Sequence, residues 1–91
     1  MRERDIERYL VRRIKSIGGE VRKVQWLGRR GAPDRLAMFK GGSVWVELKA
    51  PGQLLKRHQQ REHERMKHMG HSVIVIDSIA GVDQLITEYT A

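Results

Sequence analysis

The sequence predicts an α/β domain in which a mixed β-sheet carries helices on both sides. Three observations lead to this fold class. The chain opens with an amphipathic helical segment, it continues with short strand-like segments around a Lys-Gly-Gly turn, and a polar helix then separates these from an aliphatic run. The element order α-β-β-β-α-β-α over residues 1–91 predicts a single domain with helices on both faces of one sheet.

The first helix is predicted over Arg2–Ile17. Apolar residues recur at the spacing of one helical face, and a pair of glycines follows the segment; the apolar residues are Ile6, Tyr9, Leu10, Ile14 and Ile17. Glu7 lies beside this apolar stripe, so its carboxylate is expected at the edge of the buried face and not fully in solvent.

The remaining elements follow from alternation, turn residues and helical spacing. Strands are predicted over Glu20–Leu27, Arg35–Phe39, Ser43–Ala50 and Val73–Ile76, and helices over Leu55–Met69 and around Val82–Tyr89. Because Val73–Ile76 is an uninterrupted aliphatic run, we expect that strand to be covered on both faces.

The polar helix places two hydrophilic residues on its inward stripe. That stripe consists of Leu55, Gln59, Glu62, Met66 and Met69. Four histidines also occur in or near this helix, at positions 58, 63, 68 and 71. Their spacing does not fit a zinc-binding helix, because Lys67 stands where a His-Glu-x-x-His motif needs its second histidine. They are predicted to be surface histidines.

Composition excludes several classes of protein. The absence of cysteine excludes disulfides, zinc-thiolate sites and thiol nucleophiles. The longest aliphatic run has four residues, against the ~20 that cross a bilayer, so no membrane association is expected and the predicted location is the cytoplasm. A net charge of +7 with a pI near 10.4 favours a polyanionic partner such as DNA. No small-molecule cofactor is expected.

The chemistry-bearing stretch is Pro33-Asp34 followed by Glu47-Leu48-Lys49. Residues i and i+2 of a strand share a face, so Glu47 and Lys49 project together, and Asp34 begins the neighbouring strand. Two carboxylates held close together repel each other unless a cation joins them. Oxygen ligands without cysteine favour a hard ion, Mg²⁺ or Mn²⁺. Taken alone, a Glu-x-Lys pair on a strand is also compatible with a solvated ion pair.

Taken in order along the chain, these residues resemble the VRR-NUC (virus-type replication-repair nuclease) branch of the PD-(D/E)xK nuclease superfamily. The resemblance spans nearly the whole chain, which implies a stand-alone minimal form and a restriction-endonuclease-like fold. The matching segments are Glu7, Gly31-x-Pro33-Asp34, Glu47-Leu48-Lys49-Ala50-Pro51-Gly52, Gln59 and Gly70-x-x-Val73.

The resemblance implies a role for each matching position. Metal ligands would be the carboxylates of Asp34 and Glu47, the Leu48 carbonyl and, for a second ion or a metal-bound water, Glu7. Lys49 would orient or activate the attacking water, and Gln59 would support the site from the polar helix. Glu3 lies one helical turn before Glu7 on the same side and remains the alternative helix ligand.

The implied activity is metal-dependent endonucleolytic hydrolysis of DNA. Phosphates would be bound by two basic clusters, Arg29, Arg30 and Arg35 around Asp34 and Lys56, Arg57 and Arg61 after the Glu-x-Lys strand. The alternatives are a non-catalytic basic DNA- or RNA-binding module and a flap- or duplex-nicking nuclease of the same fold.

Symmetric cutting of a four-way junction, or of both strands of a duplex, requires two active sites, so a homodimer is expected. That it acts on branched DNA is what the resemblance implies. The resemblance adds that stand-alone VRR-NUC domains look like dimeric junction-resolving enzymes. Candidate interface residues are Trp26, Val82, Leu85 and Tyr89, each of which is also compatible with a place in the core.

Overall fold

A computed structural model describes residues 1–90 and confirms the element order α-β-β-β-α-β-α. The elements are α1 (Glu3–Ser16), β1 (Glu20–Lys23), β2 (Arg35–Phe39), β3 (Gly42–Leu48), α2 (Arg57–His68), β4 (Val73–Ile76) and α3 (Ile79–Thr90).

The four strands form one mixed sheet in the order β1-β2-β3-β4. The first three strands are antiparallel, and β4 pairs in parallel with β3 after the α2 crossover. In the β2–β3 hairpin, Phe39 lies opposite Gly42 and Arg35 lies opposite Val46. This register determines which residues meet at the far end of the hairpin.

One face of the sheet is apolar and is covered by α1 and α3. Alternate residues of β3 point to this face, and they pack with the inward stripe of α1 and with α3. The buried cluster consists of Ile6, Leu10, Ile14, Val21, Ala37, Val44, Val46, Leu48, Ile76, Val82, Leu85 and Ile86. The fold therefore rests on this side of the sheet.

The opposite face carries α2 and is largely polar. Trp45 and Glu47 project to this side because they alternate with the core residues of β3. The Trp26 and Trp45 rings meet edge to face at 5.5 Å, and the Trp26 indole N–H donates to Glu62 Oε2 at 2.6 Å. These contacts hold α2 against the sheet.

Several elements end before the C-terminal residue that was predicted for them. β1 ends at Lys23 and not at Leu27, because the chain leaves the sheet so that Trp26 can reach α2. β3 covers Gly42–Leu48 and not Ser43–Ala50, since its partner β4 ends opposite Leu48. The first two helices are each shorter than predicted.

Three apolar residues are more exposed than predicted. Ile17, predicted on the apolar stripe of the first helix, is 37% exposed because α1 ends at Ser16. Val75 is 45% exposed, so β4 is not covered on both faces, because α2 crosses the sheet without covering this edge strand completely. Met69, predicted on the inward stripe of α2, is 75% exposed because the helix ends at His68 and the chain turns at Gly70. Among the proposed interface residues, Val82 and Leu85 belong to the core, and Tyr89 stacks on Phe39.

No helix within residues 1–90 has both the length and the apolar character needed to cross a membrane.

Candidate active site

The hairpin register brings Asp34 beside Glu47. Arg35 lies opposite Val46 in this antiparallel pair. Asp34, which precedes Arg35, therefore meets Glu47, which follows Val46. Glu47 is 2% exposed, whereas Asp34 lies at the mouth of the site and is half-buried. The sequence prediction that these two carboxylates approach each other is in agreement with this geometry.

The proline before Asp34 changes the hydrogen bonding of Leu48. Continuing the register places Pro33 opposite Leu48, and proline has no backbone N–H to donate to the Leu48 carbonyl. The Leu48 N–H is instead bound by Asp34 Oδ2 at 2.8 Å. The hydrogen bond from the Leu48 N–H thus fixes the Asp34 side chain. Because Pro33 has no N–H, the Leu48 carbonyl oxygen lacks its donor from the neighbouring strand, and it lies next to the carboxylates of Asp34 and Glu47.

Different groups surround the two oxygens of Glu47. Oε2 accepts a hydrogen bond from Gln59 Nε2 at 3.1 Å and lies 3.8 Å from Lys49 Nζ. Oε1 lies 3.8 Å from His63 Nε2, and neither of these two buried atoms has a hydrogen-bond partner among the described residues. A buried oxygen without a donor is costly unless another group binds it.

The pKa of Glu47 reflects this environment. Burial, followed by the negative charge of Asp34, raises the pKa of Glu47 from its ordinary 4.5 to about 8, and the positive charge of Lys49 opposes the rise only in part. A cation bound between the carboxylates would remove both causes, since it would solvate the Glu47 oxygens and offset the charge of Asp34.

Gln59 connects the site to the start of α2. Its Oε1 accepts from the Lys56 backbone N–H at 2.9 Å while its Nε2 donates to Glu47. The side chain therefore caps the helix and positions a carboxylate at the same time. This geometry accounts for a glutamine on an inward stripe.

His63 is a buried residue of the site that the sequence did not identify. It was predicted at the surface with the other histidines, and for His63 that prediction was wrong, because only 2% of the residue is exposed. Burial lowers the pKa of His63, which favours the neutral imidazole. Its position four residues after Gln59, on the same helical face, was the available signal.

The carboxylates of α1 are not joined to the Asp34–Glu47 pair. Glu7 Oε2 accepts from Arg35 Nε at 2.9 Å, with both side chains partly buried. The charge of Glu3 adds a small contribution to the raised pKa of Glu47, after burial and the charge of Asp34. No three acidic, histidine or cysteine side chains converge as a metal cluster within residues 1–90.

Gly31 allows the loop before Asp34 to approach α2. Its φ is +94°, and a Cβ atom there would lie 2.8 Å from the His58 carbonyl oxygen and 2.9 Å from the Glu62 Cβ. Only glycine combines this backbone conformation with such a close approach. The Gly-x-Pro-Asp segment thus packs directly against the first turns of α2.

The predicted phosphate-binding residues differ in their availability. Arg35 pairs with Glu7, and Arg29 lies 3.6 Å from Glu62. Of these six predicted residues, the exposed ones that form no ion pair with a described residue are Arg30, Lys56, Arg57 and Arg61. Three of these four residues lie at the start of α2.

The site fits a hard divalent cation. Two carboxylates and a backbone oxygen without its ladder donor provide the oxygen set that Mg²⁺ and Mn²⁺ prefer, and Glu47 Oε1 is buried without a partner. An acid at the start of one hairpin strand and a Glu-x-Lys on the next define the PD-(D/E)xK class of nuclease fold.

Comparison with known proteins places the chain within this class. No family model matches the sequence. A solved structure described as a VRR_NUC domain superimposes with a TM-score of 0.86 at 39% identity, over 96% of both chains. A protein named "Putative nuclease p44", from Acyrthosiphon pisum secondary endosymbiont phage 1, is 47% identical over 79 residues, which are 86% of this chain and 85% of the phage protein. The chain belongs to the VRR-NUC family.

Proposed function

We propose that this protein is a metal-dependent endonuclease that hydrolyses DNA phosphodiester bonds. The observation that carries the proposal is the Asp34–Glu47 pair: the buried Oε1 of Glu47 has no hydrogen-bond partner among the described residues, and its Oε2 lies 3.8 Å from the ammonium of the buried Lys49. A passive phosphate-binding surface gains nothing from two converging carboxylates, because they repel the DNA backbone. The VRR-NUC fold and the similarity to a phage protein named as a nuclease support the same activity.

The metal would be held by the carboxylates of Asp34 and Glu47 and by the Leu48 carbonyl. When bound, Mg²⁺ or Mn²⁺ supplies Lewis-acid stabilisation of a phosphoryl group and lowers the pKa of a coordinated water. The Lys49 ammonium, 3.8 Å from Glu47 Oε2, can donate hydrogen bonds to a water molecule or to a phosphate oxygen on the same side. Gln59 keeps the Glu47 carboxylate in place from α2.

The helix carboxylate is assigned to Glu7, as the family resemblance implies, and Glu3 is its alternative. Glu7 must release Arg35 to reach an ion, whereas the charge of Glu3 already acts on Glu47. Cleavage measured for Glu3→Gln and Glu7→Gln separates the two: the variant that loses more of the metal-dependent rate identifies the ligand.

Nicking of supercoiled plasmid tests the activity. We expect cutting with Mg²⁺ or Mn²⁺, none with EDTA, and a loss of ~10²-fold or more for Asp34→Asn, Glu47→Gln and Lys49→Ala. The matched controls are Glu88→Gln on the exposed face of α3 and Lys40→Ala in the hairpin turn. Asp34→Asn protein that cut DNA at the wild-type rate would exclude the proposed site. DNA binding without any cutting would instead favour the non-catalytic module.

Phosphate contacts on the α2 side are assigned to Arg30, Lys56, Arg57 and Arg61, with Arg29 and Arg35 available once their carboxylate partners are displaced. Each contact should contribute roughly −0.9 to the slope of log affinity against log salt.

A homodimer that resolves four-way DNA junctions remains the proposed assembly and substrate. One chain carries one such site, and symmetric incision needs two sites related by a two-fold axis. Val82 and Leu85 lie in the core and are not available as interface residues. Sedimentation equilibrium, together with cleavage of a four-way junction beside duplex, flap and single strand, tests both parts. A monomer at micromolar concentration, or equal cutting of junction and duplex, would contradict them.

A further inference from the structure

The outer face of α1 carries a row of basic residues that the active site does not use. Arg4, Arg8, Arg12 and Lys15 are spaced by four, four and three residues and are all exposed. At 100° per residue these side chains fall within about 80° of one another around the helix axis. At 1.5 Å per residue they extend over about 16 Å. We refer to these four residues as the α1 ridge.

The charges of the α1 ridge are not neutralised by the protein. None of its four residues forms an ion pair with a described residue, whereas Arg2, Arg13, Arg22 and Arg35 each contact a carboxylate. Of the α1 carboxylates near the ridge, Glu7 is bound by Arg35, and Asp5 pairs with Arg2, although the charges of Arg4 and Arg8 also help to lower the Asp5 pKa. The ridge therefore keeps most of its positive charge toward solvent.

Helix stability does not account for the ridge. Cations are favourable near the C-terminus of a helix, which suits Lys15, but they are unfavourable near the N-terminus. Arg4 lies in the first turn of α1 and Arg8 in its first half. The helix dipole disfavours Arg4 and has faded at Arg8, which lies beyond the first turn, so stabilisation by the dipole accounts for neither arginine.

The ridge is one wall of a surface groove that reaches Arg35, the neighbour of Asp34 in the chain. Glu7, Val11 and Arg35 line the groove together with the ridge, and Arg35 directly follows Asp34 in the chain. The charged residues after the active-site strand lie on α2, on the other face of the sheet. The catalytic pair thus has a basic surface on each side.

We propose that the α1 ridge binds the phosphate backbone of double-stranded DNA and extends the substrate contact along the roughly 16 Å length of the ridge on α1. This inference rests on the proposed function and specifies its substrate contact. Arginine suits this task because its guanidinium group binds phosphate oxygens in pairs. Phosphates recur every 3.4 Å along one strand, so the ridge can contact several of them.

The test is the salt dependence of duplex binding, measured by fluorescence anisotropy in EDTA so that no strand is cut. We expect Arg4→Gln/Arg8→Gln to reduce the slope of log affinity against log salt by about 1.8. The matched control is Lys23→Gln/Lys40→Gln, which removes the same charge from β1 and the hairpin turn and should leave the slope unchanged. Glutamine preserves helix propensity, so the unfolding temperature should not fall.

Equal slopes for the ridge variant and its control would overturn the proposal, as would the absence of duplex binding by the wild-type chain at low salt. A ridge variant whose unfolding temperature fell would indicate a structural role. Because no cleavage is measured, a protein that never cut DNA but showed the slope difference would lose the proposed activity and keep the α1 ridge as a DNA-binding surface.

Discussion

The two faces of the sheet differ in what they bury. The face under α1 and α3 buries only apolar side chains, whereas the face under α2 buries Glu47, Lys49, Glu62 and His63. Burial of apolar area stabilises the fold, and burial of charge costs free energy unless each group is paired. Two atoms on the α2 side, Glu47 Oε1 and His63 Nε2, have no partner in the described chain.

Within the 90 described residues, the apolar face of the sheet provides most of the stability, and the polar face carries the residues to which chemistry is assigned. A small domain has little stability to spare, so it can keep an unfavourable polar cluster only if the other face is well packed. The cluster coincides with the residues to which chemistry is assigned. Functional sites are where natural proteins most often retain such locally unfavourable arrangements.

The largest expected effect comes from breaking the apolar face. Leu10 is fully buried between α1 and the sheet, so Leu10→Ala should lower the free energy of unfolding by about 2–5 kcal/mol. Leu27→Ala makes the same chemical change at an exposed position and should stay within about 0.5 kcal/mol of wild type. Urea denaturation measures both, and similar losses would mean that this face is not the main source of stability.

A second prediction concerns the close contact between Gly31, in the loop before Asp34, and α2. Gly31→Ala would bring a Cβ atom within 3 Å of the α2 backbone at a positive φ, so we expect a loss of roughly 1–3 kcal/mol and reduced cleavage. Gly41→Ala is the matched control, because nothing lies within 4 Å of its added Cβ. An unaffected Gly31→Ala protein would show that the loop can move away from α2 without consequence.

The cost of burying Glu47 should appear in the pH dependence of stability. Between pH 4.5 and about 8 the folded Glu47 keeps a proton that the unfolded chain has released, so stability falls as the pH rises through this window. The slope for one proton is at most about 1.4 kcal/mol per pH unit. The lowered pKa of His63 acts in the opposite sense, but only below pH 6.5.

Comparison of wild type with Glu47→Gln by urea denaturation in EDTA at pH 6.5 and pH 8 isolates Glu47, because the lowered pKa values of His58 and His63 act in both proteins. We expect wild type to lose stability over this range and Glu47→Gln to lose less. Mg²⁺ or Mn²⁺ should raise the wild-type unfolding temperature at pH 8 and leave that of Glu47→Gln unchanged. Parallel pH profiles for the two proteins would show that Glu47 ionises without cost.

The smallest effect is expected at the surface contact between α1 and α3. Asp83 binds both Arg13 and the Tyr9 hydroxyl, but the Arg13 and Asp83 side chains are partly solvent-exposed. Asp83→Asn should therefore cost less than about 1 kcal/mol, and Glu88→Gln, which removes an exposed carboxylate without a partner, should cost nothing measurable. A loss comparable to that of Leu10→Ala would place an important part of the stability outside the apolar core.

Much of the fold was predictable because its signals are local. Helical spacing identified α1, the Lys-Gly-Gly turn identified the hairpin, and alternation along β3 separated Glu47 from the core residues. The family resemblance identified the order of Pro33-Asp34 and the Glu-x-Lys strand. These features depend on residues that are close together in the sequence.

The sequence did not predict the features that depend on long-range contacts. His63 becomes buried because α2 lies across Glu47, and β1 ends early because Trp26 reaches Glu62, 36 residues later. Glu7 binds Arg35, 28 residues later in the chain, because α1 packs against the sheet.

The sequence by itself determined the element order, the apolar stripe of α1, the meeting of Asp34 with Glu47 and the basic charge, because each follows from backbone periodicity or from composition. Only the tertiary structure decided which face became polar, which Glu47 oxygen lacks a donor and which arginines keep their charge toward solvent. The physical reason is that burial and pairing are properties of two or more distant segments, and their relative placement is determined by packing.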